Sequence, residues 1–373
     1  MAVPGDPPDV PDGIGGADDE YRSVVFDEDF VRAARLQEFS AQERLGEHSR
    51  AVRSRSGWGG GDRSGSRRGR QGLALMLVVA VAFGAAVFMG LRSPYVAPPV
   101  SHTDPLSISV VPLAPRGAVP GGRPAELYGA SPAAEHRVGA AGITLPPVRR
   151  TAHFSAEQVV SALSTAKDYL VQSSLDPDVL AGAATRPVRM LLDPDQVTQF
   201  DESLGRPAPD GRHAATGWLV RFDPATAVLA DSRVRVAGTM TAAEAGPDVL
   251  EVATDHTFVY AVRPAVAGPG TDGAAGRPAA SLFTVRRELR FRFDRQDLGL
   301  GRAELFSAAV LAGPLDCAAD PSAAFRPLLA GERASGAGPA VTDPFRTGRP
   351  HTGAGVCGVL SASAQPSPAT PRP

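Results

Sequence analysis

Few residues of this sequence have the types and spacing that catalysis or metal binding requires. The 373-residue chain contains seven histidines, and none stands three or four positions from another, so no helical face offers a pair of imidazole ligands. The sequence has no HExxH segment, no P-loop, no GxSxG elbow and no GxGxxG after a predicted strand. Asp255 and His256 lie together in a predicted strand, and a serine elsewhere could complete a catalytic triad with them. We therefore expect no catalytic residues, no cofactor and no bound metal, and a triad stays open as the alternative.

Arg287 is the most distinctive charged residue. It lies in the segment 282–294, where the residues on one face of a predicted strand are otherwise apolar. A buried, unpaired cation is costly, so the position requires an explanation. One hypothesis is a pocket in which Arg287 receives an anionic ligand. The alternatives are a β-bulge that turns the side chain outward, or an ion pair with a helix carboxylate such as Asp168 or Asp201.

A second candidate site lies near the N-terminus, in the acidic segment 18–45. Phe26 and Phe30 fall on one face at helical spacing, and Asp27 and Asp29 flank them. Two phenylalanines in a short polar segment have no core to enter, so we predict an amphipathic helix that binds a groove on a cytoplasmic protein. The alternatives are a helix lying on the bilayer, where the acidic residues would be repelled, and a solvated segment without a partner.

One apolar stretch predicts a transmembrane helix at residues 72–91. Residues 73–91 contain no charge, and 19 residues rise about 28 Å as a helix, close to the thickness of the hydrocarbon core. Seven arginines precede this stretch between residues 48 and 71, and the positive-inside rule then places the N-terminus in the cytoplasm. We expect a membrane-embedded protein of the plasma membrane with an extracytoplasmic C-terminal domain.

The two cysteines, Cys317 and Cys357, both follow the apolar stretch, on the side where disulfides persist. A disulfide between them is the favoured interpretation, and two unpaired thiols are the alternative. Without a neighbouring histidine pair, a zinc site is not expected.

Composition divides the chain into seven parts. Glycine and proline, 40 and 35 residues, are concentrated outside a few periodic segments. The predicted divisions are a disordered segment 1–17, the amphipathic motif 18–45, a basic linker 46–71, the membrane helix 72–91, a Pro/Ala/Gly stalk 92–150, a folded domain 151–329 and a Gly/Ala/Pro tail 330–373.

Within 151–329 the periodicity changes from helical to alternating. Ser155 and Gln158 form a capping box before an amphipathic run, and Asp193-Pro194 is a second helix start. Alternating segments follow at 218–222, 249–263 and 282–294. We predict an α+β domain in which N-terminal helices pack on one face of an antiparallel sheet. This order resembles the nuclear-transport-factor-like cone, which implies a curved sheet with a pocket.

The segment SVVFDEDFVRAA, Ser23–Ala34, followed by an arginine-rich linker and one apolar stretch, resembles a family of actinomycete (Streptomyces-type) single-span membrane proteins. Relatives of that family are associated with the spore-wall synthesis machinery. The resemblance implies an accessory or scaffold role in envelope assembly during sporulation, without catalysis, and it does not extend to residues 150–330.

The favoured function is therefore a non-enzymatic adaptor or scaffold of the cell envelope, in spore-wall or peptidoglycan assembly. The folded domain would contact envelope proteins or the cell wall. A ligand-binding sensor is the first alternative and a cell-wall enzyme the second. Nucleic acid is not an expected partner, because the net charge is −2 and no global basic surface is predicted.

Overall fold

The computed structural model describes residues 76–84, 104–266, 279–336, 338–347 and 357–367. The chain divides into two units, Met1–Tyr95 and Val96–Pro373. In the first unit, residues 76–84 form a helix whose apolar side chains are exposed. In the part of the chain that the structure describes, no helix has the length and apolar character needed to cross a membrane. The prediction of a transmembrane helix at residues 72–91, which was part of the predicted fold class, was therefore wrong.

The second unit is built on an eight-stranded mixed sheet with the order β2-β3-β4-β5-β6-β1-β8-β7. Strands β3, β4, β5 and β6 are successive antiparallel neighbours, whereas β1 runs parallel to both β6 and β8. The strands are β1 Ser107–Ala114, β2 Arg137–Val138, β3 Ala227–Gly246, β4 Val249–Pro264, β5 Ser281–Phe293, β6 Glu304–Gly313, β7 Val341–Thr342 and β8 Gly358–Leu360.

The described residues of this unit include seven α-helices, numbered from its first strand, that connect or cover the sheet. They are α1 Pro124–Gly129, α2 Ala156–Ser174, α3 Pro177–Leu180, α4 Arg186–Arg189, α5 Val197–Gly205, α6 Ala215–Trp218 and α7 Arg295–Leu300. Only α2 exceeds nine residues. Short 3-10 turns lie at Pro132–Glu135, Gly139–Gly142, Pro194–Gln196 and Ala362–Ala364.

Helix α2 begins where the sequence predicts it. Ser155 accepts a hydrogen bond from the Gln158 backbone, and the Gln158 side chain accepts one from the Ser155 backbone, so both halves of the capping box are present. One face of α2 is buried, including Leu163, Tyr169 and Leu170. This face packs into the main core with the inward side chains of β4 and β5. The core therefore lies between α2 and one face of the sheet.

The predicted fold class was wrong in the order of its elements and in the kind of sheet. The domain begins with a strand, not with helices, and β1 makes the sheet mixed, not antiparallel. Segment 218–222, predicted as a strand, contains the end of helix α6 and an isolated bridge at Phe222. The alternating apolar residues of this segment are all buried, so their pattern reflects burial and not membership of a strand.

Both flanking segments with low-complexity composition also belong to the fold. The predicted stalk 92–150 contains β1, whose Leu113 and Ala114 are fully buried, together with α1 and β2. The predicted tail 330–373 contains β7 and β8, which extend the sheet beyond β1. Strands of two to eight residues are too short to change the average composition of these segments, and this explains the error.

Candidate functional site

Arg287 lies at the centre of the helix–sheet core. Its side chain has no exposed surface and points from β5 toward α2. One terminal nitrogen donates to the hydroxyls of Ser173 and Ser174, at 2.7 and 2.8 Å. The other donates to the backbone carbonyls of Gly217 and Trp218, at 2.9 and 2.8 Å. All four terminal N–H groups are therefore occupied by protein acceptors.

These acceptors belong to the C-terminal ends of two helices. Ser173 and Ser174 are the last residues of α2, and Gly217 and Trp218 are the last residues of α6. The C-terminal end of a helix carries unpaired carbonyls and partial negative charge, so a cation placed there is stabilised without a carboxylate. Arg287 thus joins β5 to both helices. Burial lowers the pKa of Arg287, and the neighbouring Tyr169 and Tyr260 partly oppose that shift.

Two buried tyrosines complete this polar centre. The Tyr169 hydroxyl donates to the Trp218 carbonyl at 2.7 Å, and the Tyr260 hydroxyl donates to the Ser174 carbonyl at 2.8 Å. Burial raises the pKa of both phenols, so both remain protonated donors at neutral pH. The Trp218 carbonyl consequently accepts from both Tyr169 and Arg287. The arrangement is a connected hydrogen-bond network that fixes the ends of α2 and α6 against the sheet.

His256 is the neighbour of Arg287 across the sheet. The two residues are paired in the β4–β5 register and share the inner face. His256 is fully buried, and neither ring nitrogen has a hydrogen-bond partner among the described residues. Burial lowers its pKa to about 4, an effect that Asp255 partly opposes. Gly238 makes room for the ring, because a Cβ at that position would lie 2.5 Å from it. His256 is therefore a neutral core residue at pH 7.

The opposite face of β5 presents a different kind of arginine site. Arg286 donates to both carboxylate oxygens of Asp255 at 2.8 Å and lies 2.8 Å from Glu288. Its side chain is 5% exposed, and the two carboxylates are 16% and 22% exposed. Asp255, which the sequence offered as a triad member, therefore faces Arg286 on the outer side of the sheet. His256, the next residue, points to the inner side, so the two do not form an acid–imidazole pair.

The surroundings of Arg287 differ from each interpretation of the sequence. The register irregularity between β5 and β6 falls at Arg290 and Phe291, so no bulge turns Arg287 outward. Asp201 instead pairs with Arg189. The ligand-pocket hypothesis stays a prediction, but the terminal N–H groups that an anion would need are already bonded. Sequence reasoning missed the acceptors, because helix-end carbonyls carry no side-chain signature.

The disulfide between Cys317 and Cys357 is present, with a Cα–Cα distance of 5.6 Å. It joins the segment that follows β6 to the residue that precedes β8. The bond closes a loop of 40 residues, and in the chain-entropy model a loop of this size stabilises the fold by about 4 kcal/mol. The disulfide thereby holds the last strands of the sheet against β1.

A pair of acidic groups with raised pKa lies near α7. Burial, with Asp294 and Asp193 nearby, raises the pKa of Asp297 to about 7. Burial also raises the pKa of Glu304 to about 7, and Arg292 opposes that shift. Asp297 belongs to the capping box of α7, whose other member is Asp294. Among the residues that the structure describes, no group of three or more histidine, cysteine or acidic side chains could hold a metal ion.

The predicted partner-binding residues Phe26, Phe30, Asp27 and Asp29 lie outside the described residues. Comparison of the chain with protein-family models, curated proteins and solved structures finds no significant match. The functional inference therefore depends on the geometry of the described domain and on the sequence of the N-terminal segment.

Proposed function

We propose that this protein is an adaptor or scaffold of the cell envelope, and that its folded domain is an interaction module that works without catalysis. The observation that carries the proposal is the filled helix–sheet interface. A cone-shaped ligand-binding domain needs an accessible chamber between its helices and its sheet. Here that position holds the bonded Arg287 guanidinium among Tyr169, Tyr260 and Trp218, all without exposed surface. What the domain offers to a partner is its outer surface.

The disulfide supports a location outside the cytoplasm for this domain, since such bonds persist in oxidising compartments. We propose on that ground that the domain lies outside the cytoplasm, at the plasma membrane. The resemblance of Ser23–Ala34 to spore-associated proteins extends the proposal to spore-wall or peptidoglycan assembly. In this arrangement, segment 18–45 binds a cytoplasmic protein and the folded domain binds envelope proteins or the cell wall.

The test is a cross-linking pull-down of the full chain from its native host. The wild type is compared with Phe26→Ala/Phe30→Ala, and Val10→Ala serves as a matched control outside segment 18–45. We expect specific cytoplasmic proteins with the wild type and the control, and their loss with the double variant. Recovery of the same proteins from all three would contradict a role for Phe26 and Phe30.

A second measurement separates the adaptor from a ligand sensor. A ligand that binds only the folded state raises the free energy of unfolding by RT ln(1 + [L]/Kd). An unfolding midpoint that rises with inorganic phosphate in the wild type, and not in Arg287→Lys, would support the sensor instead. We expect no such difference, because the guanidinium is already bonded on all four terminal N–H groups.

A further inference from the structure

The two edges of the sheet are covered by other parts of the chain to different extents. On one side, the Ile108 N–H of β1 donates to the Gly211 carbonyl at 2.7 Å, and β8 pairs with the end of the same strand. On the other side, β3 is the last long strand. Its outer neighbour β2 pairs only with Arg235 and Val236. Among the described residues, no strand, bridge or backbone hydrogen bond occupies the outer side of residues 238–245, which we call the β3 edge.

The β3 edge carries little of the protection found on most exposed strands: Glu244 lies opposite Leu250 on the inner face, and the register is irregular between Glu244 and Gly246. Natural edges are blocked by lysine, by proline or by inward-pointing charges. Residues 238–245 read GTMTAAEA and contain neither proline nor a cation. Their one charged residue, Glu244, pairs with His153 of the same chain. Thr239, Thr241 and Ala243 share the outer face, and their side chains are small and exposed.

A depression lies beside the end of this edge. Its volume is about 420 Å³, and it is lined by residues 150–156, the loop that precedes α2. His153 connects this loop to β3 through Glu244. Arg150 is exposed in the lining, and the Arg295 guanidinium lies 5.1 Å from the Phe154 ring centroid. Arg150 therefore supplies an exposed cation to the lining, whereas Arg295 is paired with Asp248.

We propose that the β3 edge binds an extended segment of a partner protein, which adds a strand to the sheet and places an acidic side chain in the adjacent depression, beside Arg150. Main-chain hydrogen bonds supply affinity in this mode and side-chain pockets supply specificity. The size of the edge favours a peptide over a second copy of this chain. Eight extended residues span about 27 Å, and a stable dimer buries about 800 Å² per partner, more than one narrow edge provides.

The inference rests on the proposed adaptor function and specifies the partner of its folded domain. The probe is a capped decapeptide of alternating threonine and valine, N-methylated at every second residue, so that it has one free hydrogen-bonding edge and cannot self-associate. The control has the same side chains and is N-methylated at every residue. Binding to the full chain is measured by titration and by amide hydrogen exchange of the segment containing residues 238–245.

We expect the probe to bind and to slow exchange at the β3 edge, and the control to bind at least about tenfold more weakly, because its edge bonds are lost. The variant Thr241→Lys/Ala243→Lys should weaken the probe about fivefold or more by introducing edge lysines. Ala253→Lys, on the same face but on β4, should leave binding unchanged. A probe ending in aspartate should bind more tightly than one ending in asparagine, and Arg150→Ala should remove that preference.

Equal binding of probe and control, or no protection at residues 238–245, would overturn the proposal. A dimeric full chain whose β3 edge is already protected without peptide would also overturn it, and would assign the edge to a second copy. If the pull-down recovers partners while the probe fails, the adaptor function stands and only the strand-addition surface is rejected.

Discussion

Two adjacent arginines on β5 are both buried cations, and their charges are compensated in different ways. Arg286, on the outer face, is neutralised by the carboxylates of Asp255 and Glu288. Arg287, on the inner face, is fully buried and is stabilised by hydroxyls and by helix-end carbonyls. Successive residues of a strand point to opposite faces. Arg286 therefore faces an ion-pair cluster, whereas Arg287, one residue later, faces uncharged acceptors.

A buried cation therefore does not require an anion, provided that it contacts enough hydrogen-bond acceptors in the right orientation. An ion pair compensates charge by Coulomb attraction, which is strong in a dry interior but depends on one or two partners. The ends of α2 and α6 compensate charge by several dipoles, the serine hydroxyls of α2 and the carbonyls of α6, and the bonds to α6 also satisfy carbonyls that this helix leaves unpaired. The inner arginine therefore determines where two helices end, whereas the outer arginine is a local contact between two strands.

The largest expected effect follows from removal of the inner arginine. Arg287→Met should destabilise the fold by about 4 kcal/mol, because it removes the four hydrogen bonds that Arg287 donates in the buried core and leaves the Trp218 carbonyl with Tyr169 as its donor. Arg287→Lys retains charge but loses the planar fork, so its loss should be smaller. Urea unfolding of both variants measures the two values. Equal losses for both variants would mean that charge alone matters and that the acceptor network contributes little.

The outer arginine should have a smaller effect. Arg286→Ala should cost about 2 kcal/mol, since it leaves two partly exposed carboxylates that water can reach. Arg290→Ala, on the same face and exposed, is the matched control and should lie within about 0.5 kcal/mol of wild type. The measurement is the same urea titration. A loss for Arg286→Ala as large as that for Arg287→Met would remove the distinction between the two faces.

Substitution of Gly238 tests how closely the residues beside Arg287 are packed. A Cβ at Gly238 would lie 2.4 Å from the Asp255 carbonyl oxygen and 2.5 Å from the His256 ring. Gly238→Ala should therefore cost about 1 to 2 kcal/mol by overpacking. Gly246→Ala, at the end of the same strand with nothing within 4 Å, should be neutral. Thermal unfolding of the pair checks this, and similar midpoints for both variants would contradict the close packing of His256.

The pH dependence of stability should be the smallest effect, because the contribution of His256 opposes those of Asp297 and Glu304. His256 has its pKa lowered to about 4 in the folded state, so its contribution is complete above the ordinary value of 6.5 and is lost as the pH falls toward 4. Asp297 has its pKa raised from 3.8 to about 7, so stability is lost as the pH rises between those values.

Single variants separate the two contributions. Relative to wild type, His256→Phe should gain stability as the pH falls from 6.5 to 4, and Asp297→Asn should gain stability as the pH rises from 4 to 7. Urea midpoints at half-unit pH intervals give both differences. A pH-independent difference for His256→Phe would mean that the ring is solvated in the folded state.

Sequence reasoning succeeded where a local signal determines the structure. The capping box at Ser155 and Gln158, the alternating segments that became β4 and β5, and the cysteine pair are all present. Arg287 was also recognised as exceptional, because a charge on an apolar face is visible in the sequence. Each of these features depends on residues close in sequence, or on the only two cysteines of the chain.

The features that the sequence did not predict depend on pairing between segments that are distant in the chain. Strand β1 is eight residues long within a stretch rich in proline and alanine, and its partners follow some two hundred residues later. No local pattern identifies such partners. The acceptors of Arg287 are similarly invisible, since a backbone carbonyl at a helix end has no residue-specific signature. The membrane-helix prediction treated hydropathy over 19 residues as sufficient, while the described helix has nine.

The parallel pairing of β1 has a consequence for how the domain is synthesised. β1 leaves the ribosome before the other strands, yet it must wait for β6 and then β8 before both of its sides are covered. Contacts so distant in sequence slow folding, because the entropy of closing a long loop is lost before the contacts form. The emerging chain therefore carries an unpaired apolar strand through most of translation. A chaperone that protects β1 until β6 and β8 are available for pairing should therefore raise the yield of folded protein.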